Sequence, residues 1–324
     1  MSGNITSNYG AMLSKDFDNK MKEDLLSSQG GRLSKYVDKR KINGQSRTIG
    51  IESEGDFTDK APYLYGTTET TKNMVGGIRE MDLKPTYKYA YHQMTAEEQK
   101  SLSSDAKYGL RLGENENYIT KKLRQSLEMA EDITIVKALE ELEATGFLPA
   151  DNVYGDDTVA ITDPENITLF KRVLMMASSM YDGVANTMNV NAFMVIDNAD
   201  WATILVENQG SAVFMSSDYK HMTGIDGRNV TSVFGVAVEK FNPFKAPKGD
   251  DARTAVVPKG KAWLCTYGNI AFATWEDSIE TKVETQFFNR DTISFGVKKS
   301  MAAKVVDPDG VFVFKFKPQG ANKI

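Results

Sequence analysis

Cysteine and histidine are nearly absent: the 324 residues hold one cysteine, Cys265, and two histidines, His92 and His221. A lone cysteine excludes an intrachain disulfide and suits a reducing compartment. Two distant histidines, with no C-x-x-C or H-E-x-x-H around them, give no zinc-binding pattern. The glycine-rich signatures are missing too. There is no G-x-G-x-x-G and no G-x-x-x-x-G-K-[ST], so neither a dinucleotide nor a P-loop phosphate site is signalled. No glycine-flanked serine elbow accompanies either histidine. No run approaches the roughly 18 apolar residues that span a bilayer. The start, MSGNITSNYGAML, lacks a basic region followed by an apolar core, so no secretory signal is expected. The net charge of −5 disfavours a protein coated by nucleic acid over its whole surface, though a local basic patch is compatible with it.

These absences leave no catalytic, cofactor or metal residue to name. Cys265 lies in the apolar run Trp263 to Tyr267 and reads as core. The doublets Asp156-Asp157 and Glu140-Glu141 supply carboxylates, but neighbours at i, i+1 point apart on a helix and read as solvated faces. An enzyme with an unmarked acidic site stays open, because paired carboxylates leave no spacing signature.

What the chain does have is a long helix. Residues 114–146 contain no proline and no interior glycine, and are rich in Leu, Glu, Lys, Ala and Met. Asn115 or Asn117 would cap the start, and Gly146 would end it in the left-handed conformation. About 31 residues at 1.5 Å each give roughly 46 Å, enough to cross most of a compact chain of this length. Ile119, Leu123, Leu127 and Ala130 form one apolar stripe. Ile135, Leu139 and Leu142 form another about half a turn round, so the two halves should pack on different layers. An ordinary long helix in an α/β enzyme would look the same. Its charges run against the helix macrodipole: Lys121, Lys122 and Arg124 come early and Glu140, Glu141 and Glu143 crowd the last turns. Partners elsewhere in the chain or on an adjacent subunit would offset this, unless the acidic end is simply solvated. If the charges serve assembly, neutralising all three should not lower melting of the single chain.

Around the helix, residues 1–45 read as an arm. Leu13, Phe17, Met21 and Leu25 outline a short amphipathic helix, broken by Gly30-Gly31, and Lys39-Arg40-Lys41 reads as a solvated turn. Residues 46–94 read as a protruding hairpin that includes Tyr63 and Tyr65 and ends in the alternating Tyr87, Tyr89 and Tyr91. Limbs of about 20 residues would reach some 65 Å and need a neighbouring molecule to order them. At least two of the last three tyrosines should face protein, either the helix or a neighbour. Residues 95–157 hold the long helix and a turn-rich link at 151–157. Residues 158–250 read as an α/β unit. Asp163-Pro164 starts its first helix, Ala192 to Ile196 is a buried strand, and 197–209 is a second helix. Residues 210–229 are a loop, and 230–241 a strand with a bulge at Gly235. Residues 251–324 are mostly β, ending in a hairpin of Val305-Val306 with Val311 to Phe316.

This order of parts resembles the major capsid protein of tailed bacteriophages, the Hong Kong 97 fold, especially in its short-tailed phage form. Three stretches carry the likeness: Arg47-Thr48-Ile49 through Leu83, Lys107 to Leu139, and FGVAVEKFNPF followed by CTYGNIAFATWEDSIETKVE. The resemblance implies an α+β fold with an N-terminal arm, an extended hairpin loop, a peripheral domain built on a spine helix, and an α/β axial domain. It implies a non-enzymatic protein without cofactor or metal, forming hexamers and pentamers of an icosahedral shell around double-stranded DNA. A separate scaffolding protein and a portal are further implied partners, with no membrane and no sequence-specific DNA contact. The implied location is the virion, after synthesis in the host cytoplasm. Assembly-interface candidates are Tyr63, Tyr65, Tyr87, Tyr89, Tyr91, Glu140, Glu141 and Glu143. Lys60 and Lys72 lie in the hairpin, but no cross-link is assigned to either. An encapsulin-like compartment is the alternative within the same fold.

Overall fold

A computed structural model describes positions 19 and 21 and residues 30–42, 47–51, 79–95, 118–178, 192–207, 219–223, 229–241, 257–275, 279–286 and 292–318. The long helix runs Tyr118–Ala144, 27 residues or about 40 Å. Gly146 follows at φ +71°, the expected left-handed cap. The candidate caps Asn115 and Asn117 lie outside the described residues.

Fourteen strands form three sheets among the described residues. Seven build the central one: β5 (Val153–Ala160), β6 (Ala192–Asp197), β7 (Tyr219–Thr223), β8 (Asn229–Val233), β9 (Val236–Phe241), β10 (Lys261–Thr266) and β14 (Val311–Lys317). Their order is β5-β14-β10-β6-β9-β8-β7. The inner strands read as unbroken apolar runs because both faces are covered. Phe193, Val195, Trp263, Cys265, Val311 and Val313 point to a core shared with Ile135, Leu139 and Leu142 of the spine helix. The alternate residues Met194, Ile196, Leu264, Phe312 and Phe314 point the other way, onto helices Pro164–Ser178 and Asn198–Glu207. Asp163 Oδ1 accepts the Glu165 N–H at 3.0 Å and so caps the first of these helices as expected, and Asp197 caps the second.

The second sheet holds β1 (Asp38–Ile42), β11 (Ile270–Trp275), β13 (Thr292–Val305) and β12 (Glu280–Gln286), with β4 (Thr86–Thr95) on the other side of β13. The remaining pair is β2 (Arg47–Ile51) with β3 (Arg79–Leu83), the root of a hairpin. The expected outer hairpin, with Tyr63 and Tyr65, lies outside the described residues, as does most of the arm helix.

Several expectations change. Lys39-Arg40-Lys41 is not a turn but part of β1, parallel to β11 at the sheet edge, where charged side chains suit a strand. Residues 153–160 are a strand rather than a linker, pairing parallel with β14. The stretch 229–241 is two strands, because Phe234 at φ +51° and Gly235 at φ +84° make a two-residue turn instead of a bulge. Part of the 210–229 loop, β7, pairs with β8. The final hairpin does not form: β13 and β14 belong to different sheets. Asn269 sits where the chain crosses twice between those sheets. Its amide donates to the Asp307 carbonyl and accepts the Asp307 N–H, each at 2.7 Å.

Candidate functional site

Strand β13 divides its surroundings by parity. Phe295, Val297, Lys299 and Met301 share the face turned toward the spine helix, where Lys299 meets Glu131. Further along, Lys304, which has the other parity, nevertheless reaches Glu141. Ten helical residues rise about 15 Å and five strand residues about 17 Å, so the helix and β13 run side by side in the same sense. The antiparallel partner β4 pairs Tyr91 with Gly296, Tyr89 with Lys298 and Tyr87 with Ser300. The three tyrosines therefore lie on the face opposite the spine.

Their surroundings differ. Tyr87 packs edge-on against Trp275 with ring centroids 4.8 Å apart, and the Lys298 ammonium sits 4.4 Å over its ring. Lys298 is held by Glu280 at 2.7 Å, which raises its pKa above the ordinary lysine value. Tyr89 is 71% exposed and Tyr91 78%. Among the described residues, a methyl group added at Gly296, beside Tyr91, would meet nothing nearer than the Lys282 carbonyl at 3.7 Å. Two large amphipathic rings thus stand on an open, shallow face. The spine is not their partner.

The acidic end of the spine closes within the chain. Glu143 takes Lys261 on one oxygen at 2.8 Å and Lys315 on the other at 2.6 Å. Burial alone would raise the Glu143 pKa, but the two lysine hydrogen bonds outweigh it and hold the carboxyl below its usual range. Lys261 begins β10 and Lys315 lies in β14, so the pair ties the end of the helix to the central sheet. Glu140 is half-buried, and it is not brought into this cluster.

A third feature was not anticipated. Glu131 and Asp132, 3% and 5% exposed, sit in mid-spine and receive the chain entering at Gly30. Glu131 accepts the Gly31 N–H at 2.8 Å and the Ser34 hydroxyl at 3.3 Å. Asp132 accepts Leu33 at 2.9 Å and Arg32 at 3.2 Å. Gly30, at φ +86°, has no room for a side chain: a Cβ there would lie 2.6 Å from Glu131. At Gly31 a Cβ would lie 2.6 Å from the Glu128 carbonyl and collide with Asp132. The segment continues with Tyr36, whose hydroxyl donates to Glu239 of β9 at 2.8 Å and whose ring stacks on Phe193 at 4.6 Å. Lys35 also pairs with Glu239, at 2.9 Å. Residues 30–42 thus join the spine and both large sheets. A signal existed: Glu131 lies four residues after Leu127, on the apolar stripe, where a solvated acid would be misplaced.

Beside this junction is a cavity of about 220 Å³ bordered by Lys39, Arg40, Lys41, Lys299, Glu128 and Glu131. Arg40 is paired with Asp38 at 2.7 Å. Cys265 is buried in β10, and burial pushes its thiol well above the usual range, which suits packing and not nucleophilic attack. Asp156 accepts from Thr158 beside it, and among the described residues no group of His, Cys, Asp or Glu is placed to hold a metal.

No family model and no curated protein sequence matches the chain. Solved structures do. A chain in the capsid of the cyanophage P-SCSP1u aligns at TM-score 0.54 and 12% identity over 89% of each chain. A chain in the procapsid of satellite phage P4, a particle including the size determination protein, aligns at TM-score 0.52 and 9% identity. That match covers 92% of this chain and 98% of the other. A chain in the mature capsid of bacteriophage PhiM1 aligns at TM-score 0.50 and 12% identity, over 88% and 87%. These likenesses run through nearly the whole chain. The chain has the α+β Hong Kong 97-type capsid fold.

Proposed function

We propose that this chain is the major structural protein of a phage shell, assembling as hexamers and pentamers into an icosahedral capsid around double-stranded DNA. The observation that carries this reading is the alignment of nearly the full chain on capsid chains of similar length. The exposed Tyr89 and Tyr91 support it, because a second copy would cover rings that the chain's own spine does not. In this reading the arm (1–45) and hairpin (46–94), with Tyr63 and Tyr65, reach adjacent subunits. The spine region (95–157) and terminal strands (251–324) form the peripheral part, and 158–250 the axial part. Glu140, Glu141 and Glu143 would then serve assembly by fixing the end of the spine against the sheet, with Glu140 left to meet a neighbour. The role is structural, without catalysis. A separate scaffolding protein and a portal complete the partners, the virion is the location, and synthesis takes place in the host cytoplasm. Among the described residues no helix is long and apolar enough to cross a membrane.

Negative-stain microscopy of the purified chain, alone and co-expressed with its neighbouring genes, tests the reading. Closed shells of uniform size, holding double-stranded DNA when isolated natively, are expected. Native shells that enclose a protein cargo and no DNA would favour a compartment, and a chain that stays monomeric under every condition would overturn the proposal.

A further inference from the structure

Glu131 and Asp132 are adjacent carboxylates, both removed from solvent, and they face one short segment. Glu131 has a cation of its own, Lys299 from β13 at 2.5 Å, and Lys39 from β1 also acts on it. Asp132 is held by two backbone N–H groups, and the charged side chains acting on it are the Arg32 guanidinium and the like-charged Glu131. Two buried carboxylates side by side resist ionising together, and the one lacking a close ammonium keeps its proton to higher pH. We infer that Glu131, Asp132 and the Gly30–Ser34 segment form a proton-linked clasp, which grips the N-terminal segment when Asp132 is protonated and loosens as it ionises.

The electrostatics agree with the geometry: burial, the largest influence, pushes the Asp132 carboxyl up to about 7 against the pull of the Leu33 and Arg32 N–H groups. In a released segment Asp132 would be solvated, with an ordinary pKa of about 3.9. The docked state therefore binds more protons than the released one between those values, and docking weakens as pH rises through about 7. The direction is opposite to that of a carboxylate held by a salt bridge. The clasp would matter wherever the arm has to leave or re-seat, and it does not depend on the chain forming a shell.

Amide hydrogen exchange on the full chain, corrected for intrinsic rates, tests it. Protection of the residue 31–34 amides should fall by about tenfold from pH 6 to pH 8, the ratio that a docked pKa near 7 and a released pKa near 4 require. Amides of residues 135–142, in the same helix, should not follow. Asp132→Asn should flatten the pH dependence at 31–34. Gly31→Ala, which drives a methyl group into Asp132, should remove the protection at both pH values. Equal wild-type protection at pH 6 and pH 8 would overturn the clasp, and so would an Asp132→Asn chain that keeps the tenfold fall. If that variant does not fold, the wild-type profile alone decides.

Discussion

The acidic end of the spine helix and the tyrosine face of β4 lie on opposite sides of the same sheet, and they differ in what completes them. Glu141 and Glu143 find Lys304, Lys261 and Lys315 within the chain. Tyr89 and Tyr91 remain 71% and 78% exposed. A misplaced charge is costly to leave unmatched near a helix terminus, so the fold supplies cations locally. An exposed aromatic ring is tolerated by the single chain, and its burial can wait for another molecule. Under the proposed shell role, the first region would act on assembly through the stability of the subunit, and the second through contact with a neighbour.

The largest effect should come from the spine side. Leu139→Ala removes a fully buried side chain from the core between helix and sheets and should cost about 2–5 kcal/mol in urea unfolding. The double change Glu141→Gln and Glu143→Gln should come next. Melting of the single chain should drop, by about 1–2 kcal/mol, since three lysines lose charge-assisted partners that are only partly shielded from water. This differs from the outcome expected if the charges serve assembly, in which neutralising all three glutamates would not lower melting. Unchanged melting would return Glu141 and Glu143 to the solvated class.

Glu143 also predicts a pH dependence. Its folded pKa is depressed, so its contribution is fully present above the unfolded value of about 4.3 and is lost as pH falls through the folded value. Acid unfolding below about pH 4.5 should accordingly be shallower in Glu143→Gln than in the wild type. The smallest effect on the isolated chain should come from the tyrosine face. Tyr89→Ser with Tyr91→Ser should shift subunit stability by less than about 0.5 kcal/mol each, as for ordinary surface changes. A loss as large as that of Leu139→Ala would mean that the rings are packed within the chain after all.

The spine helix, its glycine stop, the Asp163 cap and the buried strand at Ala192 were legible because each rests on local chemistry: periodicity, capping oxygens and a left-handed glycine. Sheet membership was not. Val305 and Val311 flank a tight turn and read as a hairpin, yet the chain there crosses from one sheet to the other. Alternation at period two is the same whichever sheet receives the strand. The crossing is held by Asn269, nearly 40 residues earlier, which no local pattern announces. The tyrosines were visible as a ladder, but their face depended on the register with β13, a long-range fact. Glu131 stood on the apolar stripe, but the segment it receives lies 100 residues earlier, which no local pattern links to it.

Assembly of the Tyr89→Ser, Tyr91→Ser chain tests the central claim most directly. Sedimentation and negative-stain microscopy would be run beside the wild type at matched concentration, with melting as a check that both subunits are folded. The account predicts closed shells from the wild type, and from the variant folded subunits with shell yield reduced at least tenfold, the ratio that about 1.4 kcal/mol of lost association would give at a single contact. A wild type that never assembles, or a variant that builds shells in equal yield, would contradict it.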